Sequence, residues 1–354
     1  MKDVYTQLKI FRFREQLEAL EEERMAPPVH VRIKPINACN HDCWYCAYHV
    51  PELQLGKLME MKDVIPREKM MEIIEDIHSM GVEAVTFSGG GEPTIYPWLE
   101  ESITKLGEYG VKVASLTNGS NLKGKIAKAF AKYGTWVRIS IDGWDSESYA
   151  KYRNIKNGDF DKIIQNMRDF AKIKSSCLLG INYIVDNKNY AHITEFVRLM
   201  KDVGVNHVKI MGVIVSNDGR ENNHYHEEIR DEVRRNIEEA KKLEDHNLKI
   251  VNHYHEFTER FDKDYTTCPS QQFLVVIGAD SKVYSCQDKA YTAEGLLGSI
   301  ENLSFKKFWF SEENYKKMRS IDPSRHCRHH CVEHQKNLYL HEYLQTNKAH
   351  VEFV

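Results

Sequence analysis

The chain has 354 residues, 42% hydrophobic and 29% charged, the balance of an ordinary soluble globular protein with length for one large barrel and a small appendage. Basic and acidic residues nearly cancel, 49 against 52, so no chain-wide positive field favours nucleic acid or an anionic membrane. The charged N-terminal stretch lacks the apolar core of a signal peptide and no run of about 18 apolar residues occurs, which makes a cytoplasmic protein the expectation; eight cysteines in a reducing compartment then argue for metal rather than disulfides.

Residues 1–28 read as a lead-in, with a helical stretch over 11–24 that ends before Pro27 and Pro28. Residues 29–34 alternate as a strand should, and the loop behind them carries Cys39, Cys43 and Cys46 in Cys-x3-Cys-x2-Cys spacing. Three thiolates leave one corner of a four-iron cluster without a protein ligand, whereas structural zinc closes four, and three thiols so close cannot all pair as disulfides. A helix follows over 66–80, with Met70, Ile73, Ile74 and Ile77 on one face and Gly81 behind it. The next strand, 84–88, runs into Gly89-Gly90-Gly91-Glu92-Pro93. Glycines allow a backbone to approach a ligand closely, and a carboxylate can pair with an ammonium.

The cysteine motif, with the aromatic Tyr45 before its last member, and the Gly-Gly-Glu element together resemble the radical S-adenosylmethionine (SAM) superfamily. The resemblance implies a [4Fe-4S] cluster on Cys39, Cys43 and Cys46 whose open iron chelates SAM, with Gly89, Gly90, Gly91 and Glu92 at the SAM amino group. Further strands at 111–116, 136–141, 178–185 and 208–215, separated by helices such as 190–203, complete six units and predict an α/β fold, a partial (β/α)6 barrel over 29–215.

Residues at the strand ends are the candidates for holding the cofactor. Thr117 and Asn118 follow the third strand, and Ser140 and Asp142 the fourth, with groups suited to ribose hydroxyls; Thr117-Asn118-Gly119 could equally be a turn and Asp142-Gly143 a loop. By resemblance Arg153 pairs with the SAM carboxylate. Asn182 is a SAM or substrate candidate on the fifth strand, while its neighbour Tyr183 is expected to pack against a helix. Lys209, Met211, Arg220 and His224 are candidates for the substrate mouth. Cys177 precedes the fifth strand and is expected to be structural, although a thiol facing the cavity could return a hydrogen atom.

A polar, helical bridge is expected over 216–262, with a charged helix from about His226 to Glu244. Beyond it, over 263–335, Cys268 and Cys286 bracket a hairpin with strands at 273–277 and 282–285, and Cys327 and Cys331 follow as a close pair. Four thiolates can close a second iron–sulfur cluster, and the arrangement resembles the twitch domain, a shortened relative of the SPASM domain, made of a β-hairpin and helices. A zinc site built from Cys327, Cys331 and one or more of His326, His329, His330 and His334 is the alternative. Residues 336–354 form a tail expected to close with a helix.

The resemblance implies reductive cleavage of SAM to a 5′-deoxyadenosyl radical, with electrons from a flavodoxin- or ferredoxin-type donor. The expected substrate is a small polar molecule of the sugar, amino sugar or cyclitol class, oxidised from carbinol to ketone with the auxiliary cluster as electron acceptor, as in the butirosin-pathway amino-cyclitol dehydrogenase. A radical sugar epimerase and a peptide- or protein-modifying maturase are the alternatives; the short run before Cys39, without room for a leader-binding domain, favours a small substrate. A non-catalytic iron–sulfur or zinc protein would leave the Gly-Gly-Glu element without purpose.

Overall fold

The computed structural model describes residues 5–50, 53, 55–257 and 260–353. Seven strands run parallel in chain order: β1 (His30–Ile33), β2 (Ala84–Phe87), β3 (Lys112–Thr117), β4 (Gly134–Ser140), β5 (Leu178–Val185), β6 (His207–Gly212) and β7 (Lys249–Asn252). On the other side of β1 lies β8 (Leu274–Ile277), also parallel, followed by the antiparallel β9 (Lys282–Tyr284) and β10 (Leu296–Ser299). The sheet is open, in the order β10-β9-β8-β1-β2-β3-β4-β5-β6-β7, and forms the partial barrel the sequence predicts.

The pleat explains the sidedness, because successive side chains point to opposite faces. Val31, Ile33, Val85, Phe87, Ile139 and Ile181 belong to the main core under the helices. The helix Arg67–Met80 buries Met70, Ile73, Ile74 and Ile77 there and stops where Gly81 takes a φ of 75°, a left-handed conformation that glycine adopts without steric cost. The helix Ile193–Val203 adds Phe196, Val197 and Met200, and Tyr183 stacks on Phe196 with ring centroids 4.3 Å apart. Each such side chain contributes about 1.5–3 kcal/mol on burial, so the outer face carries the stability. On the inner face Arg32, Arg138, Ser140, Asn182, Lys209 and Met211 are only half-buried, and the concave side of the sheet is therefore open to solvent.

Three expectations change. The bridge over 216–262 contributes β7 to the barrel sheet, so it does not stand outside it; four residues at a sheet edge give too short an alternation to stand out. Its charged helix is two helices, Gly219–Glu227 and Arg230–Lys241. The lead-in is a 3-10 turn, Gln7–Arg12, and a helix, Arg14–Glu21; its Ile10 and Leu17 pack with Val29, Phe273 and Leu340 of the closing helix His334–Gln345. Among the described residues no helix is long and apolar enough to cross a membrane.

Candidate active site

The loop leaving β1 is pinned from two sides. On one side the backbone N–H groups of Asp42 and Trp44 donate to the carbonyls of Arg153 and Tyr152, at 3.0 and 3.4 Å. On the other, Gly91 N–H donates to Ile36 O at 3.1 Å and Glu92 N–H to Ala38 O at 3.0 Å. A Cβ on Gly91 would lie 1.9 Å from the Ala38 carbonyl oxygen, and one on Gly90 2.4 Å from Asn37 Oδ1. The close approach that these glycines allow is thus first of all that of the cysteine loop itself, one residue before Cys39.

Glu92 is 3% exposed and joins the next segment to this frame. Its Oε1 accepts from the Thr94 N–H at 2.9 Å and from the hydroxyls of Thr94 and Thr117; its Oε2 accepts from Asn118 N–H at 2.7 Å. Burial raises the Glu92 pKa, and the hydrogen bonds from Thr117, Thr94 and Asn118 pull against it. Four donors leave little of the carboxylate's capacity for an ammonium, so Glu92 builds the site whether or not it also touches a ligand. Asn118 reaches onward, its Nδ2 donating to Asn40 Oδ1 at 2.8 Å.

Arg153, 4% exposed at the end of the helix Ser146–Arg153, gathers the remaining candidates. Its Nε and Nη2 lie 2.9 and 2.8 Å from Asp142 Oδ1, its Nη2 donates to Ser140 Oγ at 3.3 Å, and its Nη1 to Cys43 Sγ at 3.1 Å. The guanidinium also lies over the rings of Tyr45 and Tyr149, at 5.6 and 5.4 Å. Removing one partner of such a buried pair costs about 3–5 kcal/mol, because the other charge is left uncompensated. Asn182 lies level with Ser140 in the β4–β5 register and faces inward, as the alternation predicts.

Sequence reading missed Lys34, a fully buried lysine just past β1. Its Nζ donates to Tyr48 Oη at 2.6 Å, to Gln287 Oε1 at 3.2 Å and to the Gly89 carbonyl, while Gln287 Nε2 donates to Tyr48 Oη at 2.6 Å. One buried lysine nitrogen therefore ties the cysteine loop, the glycine segment and the residue beside Cys286. The inward phase of His30, Arg32 and Lys34 in the alternation of 29–34 was the signal that could have found it.

All eight cysteines are free thiols. Burial pushes Cys39 up to about 12 and raises Cys43 and Cys46, so this triad needs the positive charge of a metal to be held as thiolates. The donor set fits an iron–sulfur cluster with one iron lacking a protein ligand. Cys177, by contrast, is 7% exposed, lies at the N-terminal end of β5 and belongs to the outer core. Arg220 and His224 are exposed on the helix Gly219–Glu227, where His224 pairs with Glu227.

In the C-terminal part the thiols of Cys268, Cys327 and Cys331 all act electrostatically on Cys286. Lys263, 8% exposed, donates to the carbonyls of Arg260, Phe261, Cys327 and His329 at 2.6–2.7 Å and so shapes the loop holding Cys327 and Cys331. Asn337 Nδ2 donates to Cys268 Sγ at 3.3 Å. Of the four histidines weighed for zinc, His329 lies beside Cys331 and Asp288, with ligand atoms within 4.8 Å. The others turn elsewhere: His326 accepts from Asp322 N–H, His330 meets His255, and His334 meets Tyr265.

Comparison with known proteins agrees with this geometry. Residues 33–200 match the model of the radical SAM superfamily, and residues 268–332 that of SPASM, an iron–sulfur cluster-binding domain. An S-adenosylmethionine-dependent nucleotide dehydratase of Flammeovirga pacifica is 30% identical over 152 residues, 43% of this chain and 51% of that protein. A probable GTP 3′,8-cyclase of Saccharolobus islandicus is 23% identical over 191 residues, 53% of this chain and 58% of the other. The chain thus spans about half the length of these curated relatives. The structure of Streptococcus suis SuiB bound to its precursor peptide SuiA superposes with a TM-score of 0.62 at 17% identity, over 90% of this chain and 74% of that one, which shows a shared fold.

Proposed function

Because this chain belongs to the radical SAM superfamily and carries a SPASM iron–sulfur domain, we propose that it is an oxidoreductase that abstracts hydrogen from a small polar molecule bound on the concave side of the sheet. Cys39, Cys43 and Cys46 would hold a cluster that, with SAM, would supply a hydrogen-abstracting 5′-deoxyadenosyl radical, and Cys268, Cys286, Cys327 and Cys331 would hold a second cluster able to take up the electron left as a carbinol, its hydroxyl proton lost to solvent, becomes a ketone.

The observation that carries this reading is the convergence of the cysteine loop, Glu92, Ser140, Asp142 and Arg153 at the C-terminal ends of β1 to β4, where parallel β/α folds place their chemistry. Gly89, Gly90, Gly91, Glu92, Thr117 and Asn118 fix the loop and would meet the amino-acid side of SAM. Ser140, Asp142 and Asn182 would meet the ribose side, and Tyr45 stands beside Asp142 and Arg153. The outward, basal place of Cys177 supports net oxidation over epimerisation, which needs a thiol or similar donor inside the barrel.

Anaerobic reconstitution with iron and sulfide tests the reading. About eight irons per chain are expected, falling to about four in the Cys39→Ala/Cys43→Ala/Cys46→Ala variant, with reductive formation of 5′-deoxyadenosine from SAM in the wild type alone. Four irons falling to none, or 5′-deoxyadenosine formation that survives the triple substitution, would overturn it.

A further inference from the structure

The strands of the concave face carry bases without acids. Among β1 to β6 the inward-phase ionisable side chains are His30, Arg32, Lys112, Arg138, His207 and Lys209, and none is a carboxylic acid. Arg32 donates from Nη1 to Gln287 Oε1 at 3.3 Å, and Arg138 from Nη2 to Tyr5 Oη at 2.8 Å. In both, the Nε–H is buried and has no hydrogen-bond partner; among the described residues neither guanidinium nor Lys209 forms an ion pair with a carboxylate, and the acid acting on Arg32 from farther off is the buried Asp288. Charged groups that act on Lys209 are Arg138, Arg32 and Arg260, all of its own sign; they and, first, burial bring its pKa down to about 7. The nearest aromatic surfaces, Tyr5 at 5.4 Å and Trp136 at 4.8 Å from the Arg138 guanidinium, offset part of that charge, and the Tyr5 hydroxyl, a neutral acceptor, takes one of the Arg138 hydrogen bonds.

Register places this charge near the cofactor residues. Ser140 pairs with Asn182 and Asn182 with Lys209, so Lys209 stands two strand spacings, about 10 Å, from Ser140, within the reach of one small molecule. The row below holds Arg138, Gly180 and His207. Buried donors left unmade are costly, and a cluster of like charges is costly too; an oxyanion relieves both.

We propose that the substrate carries an oxyanion, a phosphate ester or a carboxylate, and that Arg32, Arg138 and Lys209 hold it on the concave face. The inference rests on the oxidoreductase reading and narrows its substrate class: phosphorylated or acidic sugars and nucleotides fit, whereas an amino sugar or amino-cyclitol would bring an ammonium against three cations.

Isothermal titration at low ionic strength of the anaerobically reconstituted protein with inorganic phosphate, and separately with succinate, tests it. Saturable binding is expected for at least one anion, weakened at least tenfold in both Lys209→Met and Arg138→Gln and unchanged in Lys162→Met, a lysine on the outer helix Asp159–Ala171. Binding of phosphate alone assigns a phosphate ester and of succinate alone a carboxylate. Iron content and melting temperature establish that each variant is folded, and two variants guard against the loss of one. No binding of either anion, or binding that both variants retain, overturns the proposal. Assayed on the same wild-type sample, 5′-deoxyadenosine formation without anion binding sinks this inference alone, and anion binding without 5′-deoxyadenosine sinks the reading beneath it.

Discussion

Gly91 shows how one missing Cβ can decide whether a metal site assembles. Its neighbour at 1.9 Å would be a backbone oxygen of the cysteine loop, which cannot swing away as a side-chain tip can. Gly91→Ala is therefore expected to lose about half of the bound iron, because the first cluster fails while the cysteines of the second are untouched; retention of full iron and of 5′-deoxyadenosine formation would refute the coupling. At this scale the sequence was most legible where ligands are local, as in Cys39, Cys43 and Cys46. It was least legible where partners are distant: nothing near Lys34 announces Tyr48 and Gln287, and the satisfaction of Glu92 by Thr117 and Asn118 appears only once β2 and β3 lie side by side. The charge of Arg32, Arg138 and Lys209 was visible, but its convergence depends on which way three separate strands face.

Strands and helices were legible where the hydrophobic period is long. β5, eight residues, and the helix Arg67–Met80 fall within a residue or so of expectation, whereas four-residue β7 did not show. The partnership of β1 with β8 was also hidden, since no local pattern says that a hairpin opening more than 200 residues later will add to the first strand. That seam joins two cluster-bearing parts through Val31, Ile33, Val275 and Ile277, all in one core. Ile277→Ala is expected to cost about 2–5 kcal/mol, and the absorption of both clusters should vanish at one lowered denaturant concentration. Two separated transitions would show instead that the C-terminal part unfolds by itself.

For the whole molecule, pH acts through histidines buried as neutral rings. His207 is 4% exposed with both ring nitrogens unpartnered, and burial, then Arg138 and Lys209, bring its pKa down to about 4. Between that value and the unfolded value near 6.5 the unfolded chain binds the extra proton, so stability falls as pH falls through this window. The slope from this one ring is about 1.4 kcal/mol per pH unit, and His207→Gln should remove that increment; a melting profile from pH 7 to pH 4 parallel to the wild type's would contradict it. Gly180 makes the burial possible, since a Cβ there would lie 2.2 Å from the His207 ring.

The pairing of β1 with β8 also sets an order of events during synthesis. β1 is made before β2 and can find it soon afterwards, but its other edge stays unpaired until residues 274–277 have been made. An unpaired hydrophobic edge invites pairing with other chains, and the wait lasts while all the residues between β1 and β8 are made. The barrel can therefore close around its first strand only after the residues that flank the second cluster have been added, and a nascent chain halted before them would leave the ribosome with its central strand exposed.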